Sequence, residues 1–202
     1  MIPLTYTGGS VSTNGYLLET PEGLIVVDAP EGMAEQVRAT GLTPLALLLT
    51  HHHFDHVEDA AELAQMGASI HAFAPMSPDL TLAEEAARWG LPITIEPYTV
   101  DRILEGEQTL DLAGQTFDLL HVPGHSPDSL VFHLAKQAIA FAGDTLFAQS
   151  IGRTDLPGGR NRQLLNAIRS QLFPLPAATR VLPGHGPETT IQQEVASNPY
   201  LQ

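Results

Sequence analysis

The sequence predicts a layered α/β sandwich, with sheet in the middle and helices outside, and three observations carry that prediction. Short β-type runs outnumber helical ones, the two kinds alternate through two successive halves of the chain, and a glycine closes each of the first three helical runs. With 202 residues, 43% of them hydrophobic, the chain fits one domain over 1–202 with a substantial core.

Each element has its own local reason. "YLLET" and "LIVVDA" flank Pro21-Glu22-Gly23 and read as two strands joined by a turn. "EGMAEQVRAT", "VEDAAELAQM" and "LAEEAARW" read as helices stopped by Gly41, Gly67 and Gly90. "LALLLT" and "ASIHAF" are strands between them. "QTLDLAGQTFDLLHV" alternates around Ala113-Gly114 as a hairpin does, and "SLVFHL" with "AIAFAG" forms a second. "RQLLNAIRSQLF" is the last clear helix and "TRVLP" the last strand.

Composition narrows the chemistry. The chain has no cysteine, which removes disulfides, thiolate nucleophiles and sulfur-ligated zinc; any metal must be held by His, Asp or Glu. A formal net charge of -14 repels a phosphate backbone, so nucleic acid is not the expected partner. No apolar run reaches the roughly 18 residues that span a bilayer, and "MIPLTYTGGS" lacks the features of a signal peptide; the expectation is a cytoplasmic protein without a membrane partner. Arg153, Arg160, Arg162, Arg169 and Arg180 nevertheless fall within 28 residues, which leaves room for a local anion site.

The histidines are concentrated. Four of nine lie within the six residues of "HHHFDH", directly after the most apolar strand. His125 follows "FDLLHVPG", Asp144 follows "AIAFAG", and His185 follows "TRVLPG", so four strand ends each deliver a metal-ligand type. Residues two apart on an extended segment point the same way, so His51 and His53 can face one ion while Asp55 and His56, past a bend, face another. His52 then points away, His71 and His133 read as structural or surface histidines, and His121 as a packing or supporting residue. The competing reading of "THHHFDH" is a solvated histidine-rich loop.

"THHHFDH" matches the T-H-x-H-x-D-H signature of the metallo-β-lactamase superfamily, and "HVPGHSPDS", "FAGDTLF" and "VLPGHGPETT" resemble its later ligand motifs in order. "LFAQSIGRTDLPGG" and "GHGPETTIQQEVASNPYL" are most similar to short glyoxalase II-like (hydroxyacylglutathione hydrolase-like) enzymes. The resemblance implies a four-layer αββα sandwich. It also implies two divalent transition-metal ions: His51, His53 and His125 on the first, Asp55, His56 and His185 on the second, and Asp144 between them, with Asp55 and Asp144 the catalytic carboxylates. Zinc is the expected metal, and the nitrogen and oxygen donors also suit iron or manganese.

The resemblance further implies hydrolysis of a thioester such as S-lactoylglutathione, for which two such ions would supply hydroxide by lowering the pKa of a shared water from about 15.7 towards about 7. Arg153 is expected to bind the carboxylate of an anionic small-molecule substrate, the alternative being a surface pair with Asp155. Glu58, Asp59 and Asp128 stand where glyoxalase II enzymes commonly carry glycine, and would add negative charge near the mouth. The sequence also closes at Gln202 without the helical region that contributes glutathione contacts in full-length glyoxalase II. Other chemistries share the pattern: a persulfide dioxygenase using His51, His125 and Asp144 on one Fe(II), a lactonase, or a metal-binding module without turnover. A true β-lactamase is disfavoured by the missing cysteine ligand of one subclass and the greater length of others.

Overall fold

The computed structural model describes residues 2–91 and 93–202. The chain divides into two compact units, Met1–Glu105 and Gly106–Gln202, each built on one six-stranded mixed sheet.

The first unit runs β1 (Leu4–Gly8), β2 (Thr13–Thr20), β3 (Gly23–Val27), α1 (Met33–Thr40), β4 (Pro44–Leu48), α2 (Ala60–Gln65), β5 (Ser69–Ala72), α3 (Pro78–Thr81), α4 (Ala83–Arg88) and β6 (Arg102–Ile103). Its strands lie side by side in chain order. β1, β2 and β3 are antiparallel neighbours, whereas β3, β4, β5 and β6 run parallel because helical crossovers return the chain each time. Val37, Ala60 and Leu63 from α1 and α2 bury with Val26, Leu47 and Ile70 of the sheet. Both ends of α1 are set by left-handed glycines, Gly32 and Gly41.

The second unit runs β7 (Thr109–Leu112), β8 (Gln115–His121), β9 (Leu130–Leu134), β10 (Ile139–Gly143), β11 (Leu146–Phe147), β12 (Ser150–Ile151), α5 (Asn161–Ala167), β13 (Arg180–Pro183), β14 (Thr189–Thr190) and α6 (Ile191–Ser197). The sheet order is β14-β13-β10-β9-β8-β7, with β11 and β12 a separate small hairpin. The hairpin expected around Ala113-Gly114 is present, with φ of 47° and 71° at its two central residues, the all-positive turn whose twist matches that of the strands. α5 continues as a wider helical turn over Ile168–Leu172, and Leu164, Ile168 and Leu172 pack against Val131, Ala140 and Val181.

Every strand and helix expected from sequence overlaps an observed element, several of them one to three residues shorter than expected. Among the described residues, seven of the labelled elements were not expected: β1, β6, β11, β12, β14, α3 and α6. Among the described residues no helix is long and apolar enough to cross a membrane.

Sheet direction decides where the ligand-type residues emerge. β8 and β10 are both antiparallel to β9, and β13 is parallel to β10, so all three run the same way and leave the second sheet at one edge. Their next loops carry His125, Asp144 and His185. In the first sheet β3 and β4 are parallel, so Asp28 and the histidine run leave at one edge too.

Candidate metal centre

The histidine run is interior. His51, His52, His53 and His56 are each 5% exposed or less, which rules out the solvated-loop reading. After β4 the chain bends at Thr50 and then makes one tight helical turn through Phe54–His56. Ligand atoms of His51 and His53, of His51 and His56, and of Asp55 and His56 fall within 4.8 Å of each other. His52 faces the other way, its ring stacked parallel to that of Tyr98 at 6.1 Å between centroids.

Protons on this half are assigned by their partners. Thr50 donates its backbone N–H to Asp28 Oδ1 and its hydroxyl to Asp28 Oδ2, both at 2.8 Å. With that hydroxyl proton committed, Thr50 Oγ1 accepts from His51 Nδ1 at 3.1 Å. His56 Nδ1 donates to Asp28 Oδ2 at 2.9 Å. Both imidazoles therefore carry their proton on Nδ1 and direct the Nε2 lone pair outward, the form in which histidine binds a metal. Asp55 is fixed by Thr13, whose hydroxyl donates to its Oδ2 at 2.6 Å, and that oxygen lies 3.4 Å from His56 Nε2.

The second unit holds a cluster of its own. Asp144 Oδ2 lies 3.5 Å from His125 Nε2 and 3.4 Å from His185 Nε2. These separations exceed the usual N–H···O range of about 2.7–3.2 Å. Two ligands each about 2.1 Å from a tetrahedral ion stand about 3.4 Å apart, a spacing these atoms match. His125 Nδ1 donates to the Arg153 backbone carbonyl at 2.8 Å, again leaving the lone pair on Nε2. In each unit the donors are imidazole and carboxylate with no sulfur, a donor type that suits zinc, iron or manganese.

The guanidinium of Arg153 grips Asp155 through two bonds of 2.8 Å, the surface pair, while its carbonyl serves His125. That pairing lowers the Asp155 pKa to about 2 and raises that of Arg153. Asp128 is buried and accepts from the Ser126 hydroxyl, so its charge is not at a mouth. Glu58 and Asp59 accept the backbone N–H of Glu31 and Ala34, and burial raises both carboxyl pKa values. His133 is buried against Asp118, His71 is also buried, and His121 is exposed with Nε2 bonded to the Pro127 carbonyl.

Asp28, Thr50 and Thr13 escape a reading by ligand spacing. Asp28 stands 22 residues before Thr50 and 28 before His56. A signal exists in "LIVVDA", an Asp at the end of a buried strand, with the left-handed φ of 58° that Asp tolerates.

Residues 8–185 match the metallo-beta-lactamase superfamily, and the chain belongs to it. It is 40% identical over 175 residues to hydroxyacylglutathione hydrolase GloC of Haemophilus influenzae, covering 85% of this chain and 82% of that one. The solved BLEG-1 B3 metallo-beta-lactamase superposes with a TM-score of 0.91 at 36% identity over 100% of both chains. The di-iron-bound form of TTHA1623 gives 0.85 at 39% identity, over 98% of this chain and 100% of that one. The fold is the expected metallo-β-lactamase α/β sandwich, and the class is a metallo-hydrolase whose His/Asp groups could hold metal.

Proposed function

We propose that this chain is a metal-dependent thioester hydrolase working as a single domain over 1–202, with S-lactoylglutathione the type of substrate. His51, His53 and His125 would hold one ion, Asp55, His56 and His185 the other, and Asp144 would bridge. The observation that carries the reading is Asp144 Oδ2 poised at nearly equal distance from His125 Nε2 and His185 Nε2, ligands assigned to different ions. Similarity to GloC supports the thioester class.

When bound, two divalent ions supply an ionised water near neutral pH and polarise a carbonyl. The protein's part is orientation. Asp28, Thr50 and the Arg153 carbonyl keep protons on Nδ1 of three histidines, and Thr13 holds Asp55. In the overall reaction water adds to the acyl carbon, the C–S bond breaks, and the thiolate leaves with the proton water gave up. With its fork on Asp155, Arg153 reaches a substrate carboxylate only by exchanging partners.

The test is S-D-lactoylglutathione with purified, metal-loaded protein, followed by thiol release and an oxygen electrode together. Thiol release without oxygen uptake is the expected result. Oxygen uptake with glutathione persulfide, at one iron per chain, would transfer the chain to the dioxygenases; turnover confined to a β-lactam or a lactone would replace the substrate class.

A further inference from the structure

Between Ile151 and Asn161 the chain has neither helix nor strand, yet it touches the loop around His125 repeatedly. Arg153 O accepts His125 Nδ1–H at 2.8 Å, and Arg160 N donates to Gly124 O at 2.7 Å. Gly158 lies so close under Pro127 that a Cβ there would stand 3.1 Å from Pro127 Cδ. At the start of the segment, a Cβ on Gly152 would fall 1.8 Å from Asp144 O and 3.1 Å from His125 Cβ. The segment thus begins against one ligand and ends against the loop of another.

Within the segment the Arg153 side chain grips Asp155 through two parallel bonds of 2.8 Å across a single intervening residue. Both side chains are more than half exposed, and an exposed pair adds little to global stability. A planar fork gripping a carboxylate two residues away does restrict the backbone between them, and hence the direction of the Arg153 carbonyl. That direction matters to His125. A carbonyl oxygen only accepts, so this bond fixes the proton on Nδ1; a neutral imidazole released from it samples the other tautomer, whose Nε2–H is no ligand.

We propose that the Arg153–Asp155 pair is a positioning clamp for His125: by holding the Arg153 carbonyl in place it keeps His125 in the Nδ1–H form with Nε2 free to ligate. The clamp rests on the reading of His125 as a metal ligand, and it gives Arg153 a task different from gripping substrate.

The experiment uses the full chain as Asp155→Ala and as the charge swap Arg153→Asp with Asp155→Arg. One readout is the ¹⁵N shifts of the His125 ring in metal-free protein; the other is zinc affinity by competition with a chromophoric chelator. Asp155→Ala should convert His125 from the Nδ1–H form to a tautomer mixture and weaken zinc binding about 10- to 100-fold, the usual effect of losing a group that orients a ligand. Melting temperature should not change. The swap should restore both readouts, since the carbonyl of residue 153 belongs to the backbone and only the pair needs to survive. An unchanged tautomer and affinity in Asp155→Ala overturns the clamp, and so does a swap that fails to rescue, which would show that the Arg153 side chain acts on its own. Wild-type protein that takes up no metal would defeat the proposed function, while the tautomer measurement would still decide the clamp.

Discussion

Asp28 Oδ2 lies 2.9 Å from His56 Nδ1, and both side chains are sealed from solvent. The same oxygen takes the Thr50 hydroxyl, which in turn accepts from His51, so one carboxylate sets the tautomer of two imidazoles. Asp28→Asn keeps the shape and tolerates the left-handed backbone, but offers one acceptor oxygen and an amide N–H₂ to three donors. The expected outcome is metal affinity lower by about 10- to 100-fold. Stability should fall by about 1–3 kcal/mol from the buried mismatch. Chelator competition and thermal melting check the two parts separately.

His53→Ala should abolish turnover and reduce bound metal from two ions per chain towards one. His53 is buried, 5% exposed, and its ring meets that of His51 edge-on at 4.5 Å. It lies in the loop after β4, outside the core cluster of the first unit, so far-UV circular dichroism should be nearly unchanged. Elemental analysis beside the dichroism spectrum is the check; full activity with the variant would remove His53 from the metal reading.

Much of this was legible because buried strands advertise themselves and ligand types stand directly after them. "LALLLT" and "AIAFAG" are continuous apolar runs, and His51 and Asp144 follow at once. β1 was not legible: "LTYTG" is an edge strand, mostly exposed, with no apolar alternation to read. α6 buries only Ile191 and Glu194, too narrow a stripe to show a period, although Thr190 capping Gln193 N is a helix-start signal in "TIQQ". Asp28 was hidden for a different reason. Its partners are two strands' worth of chain away, and only the parallel pairing of β3 with β4 brings them together. Arg153 shows the limit on charge reading, because sequence places the fork near the ligands without saying whether Asp155 or a substrate fills it.

Asp59 gives a pH-dependent prediction. Burial, the largest cause, raises its pKa, with Glu62 and Glu31 adding to it against the lowering bonds from Ala34 and Gly32. The folded state therefore binds this proton more tightly than the unfolded chain, so ionised Asp59 opposes folding at neutral pH, and that cost vanishes as pH falls below both pKa values. Asp59→Asn keeps an oxygen for Ala34 N and should be slightly more stable than wild type at pH 7, by less than about 1 kcal/mol given its partly exposed position, and so melt slightly higher. The gap should close towards pH 4. Melting curves of metal-free protein at both pH values check it; a gap that widens on acidification would contradict the sign.

Gly152 carries the final prediction, in which steric fit separates a metal-site effect from general destabilisation. An added Cβ would stand 1.8 Å from the backbone oxygen of Asp144, far inside any real carbon–oxygen contact, and backbone cannot swing away as a side-chain end can. Gly152→Ala must move the Asp144 strand end, the β12 end, or both, and overpacking of this kind costs about 1–3 kcal/mol or more. Because Asp144 is the proposed bridge and His125 Cβ would lie 3.1 Å from the same new atom, the displacement should fall on the ligands first. The comparison is Gly41→Ala, where φ is +70° but nothing lies within 4 Å of the new Cβ. That change should cost about 1 kcal/mol through backbone conformation alone and leave bound metal at the wild-type level. Both variants are to be melted and analysed for metal per chain. Equal metal retention in the two would mean that the strand end bearing Asp144 absorbs the clash without disturbing its carboxylate, and would weaken the assignment of Asp144 as the bridge.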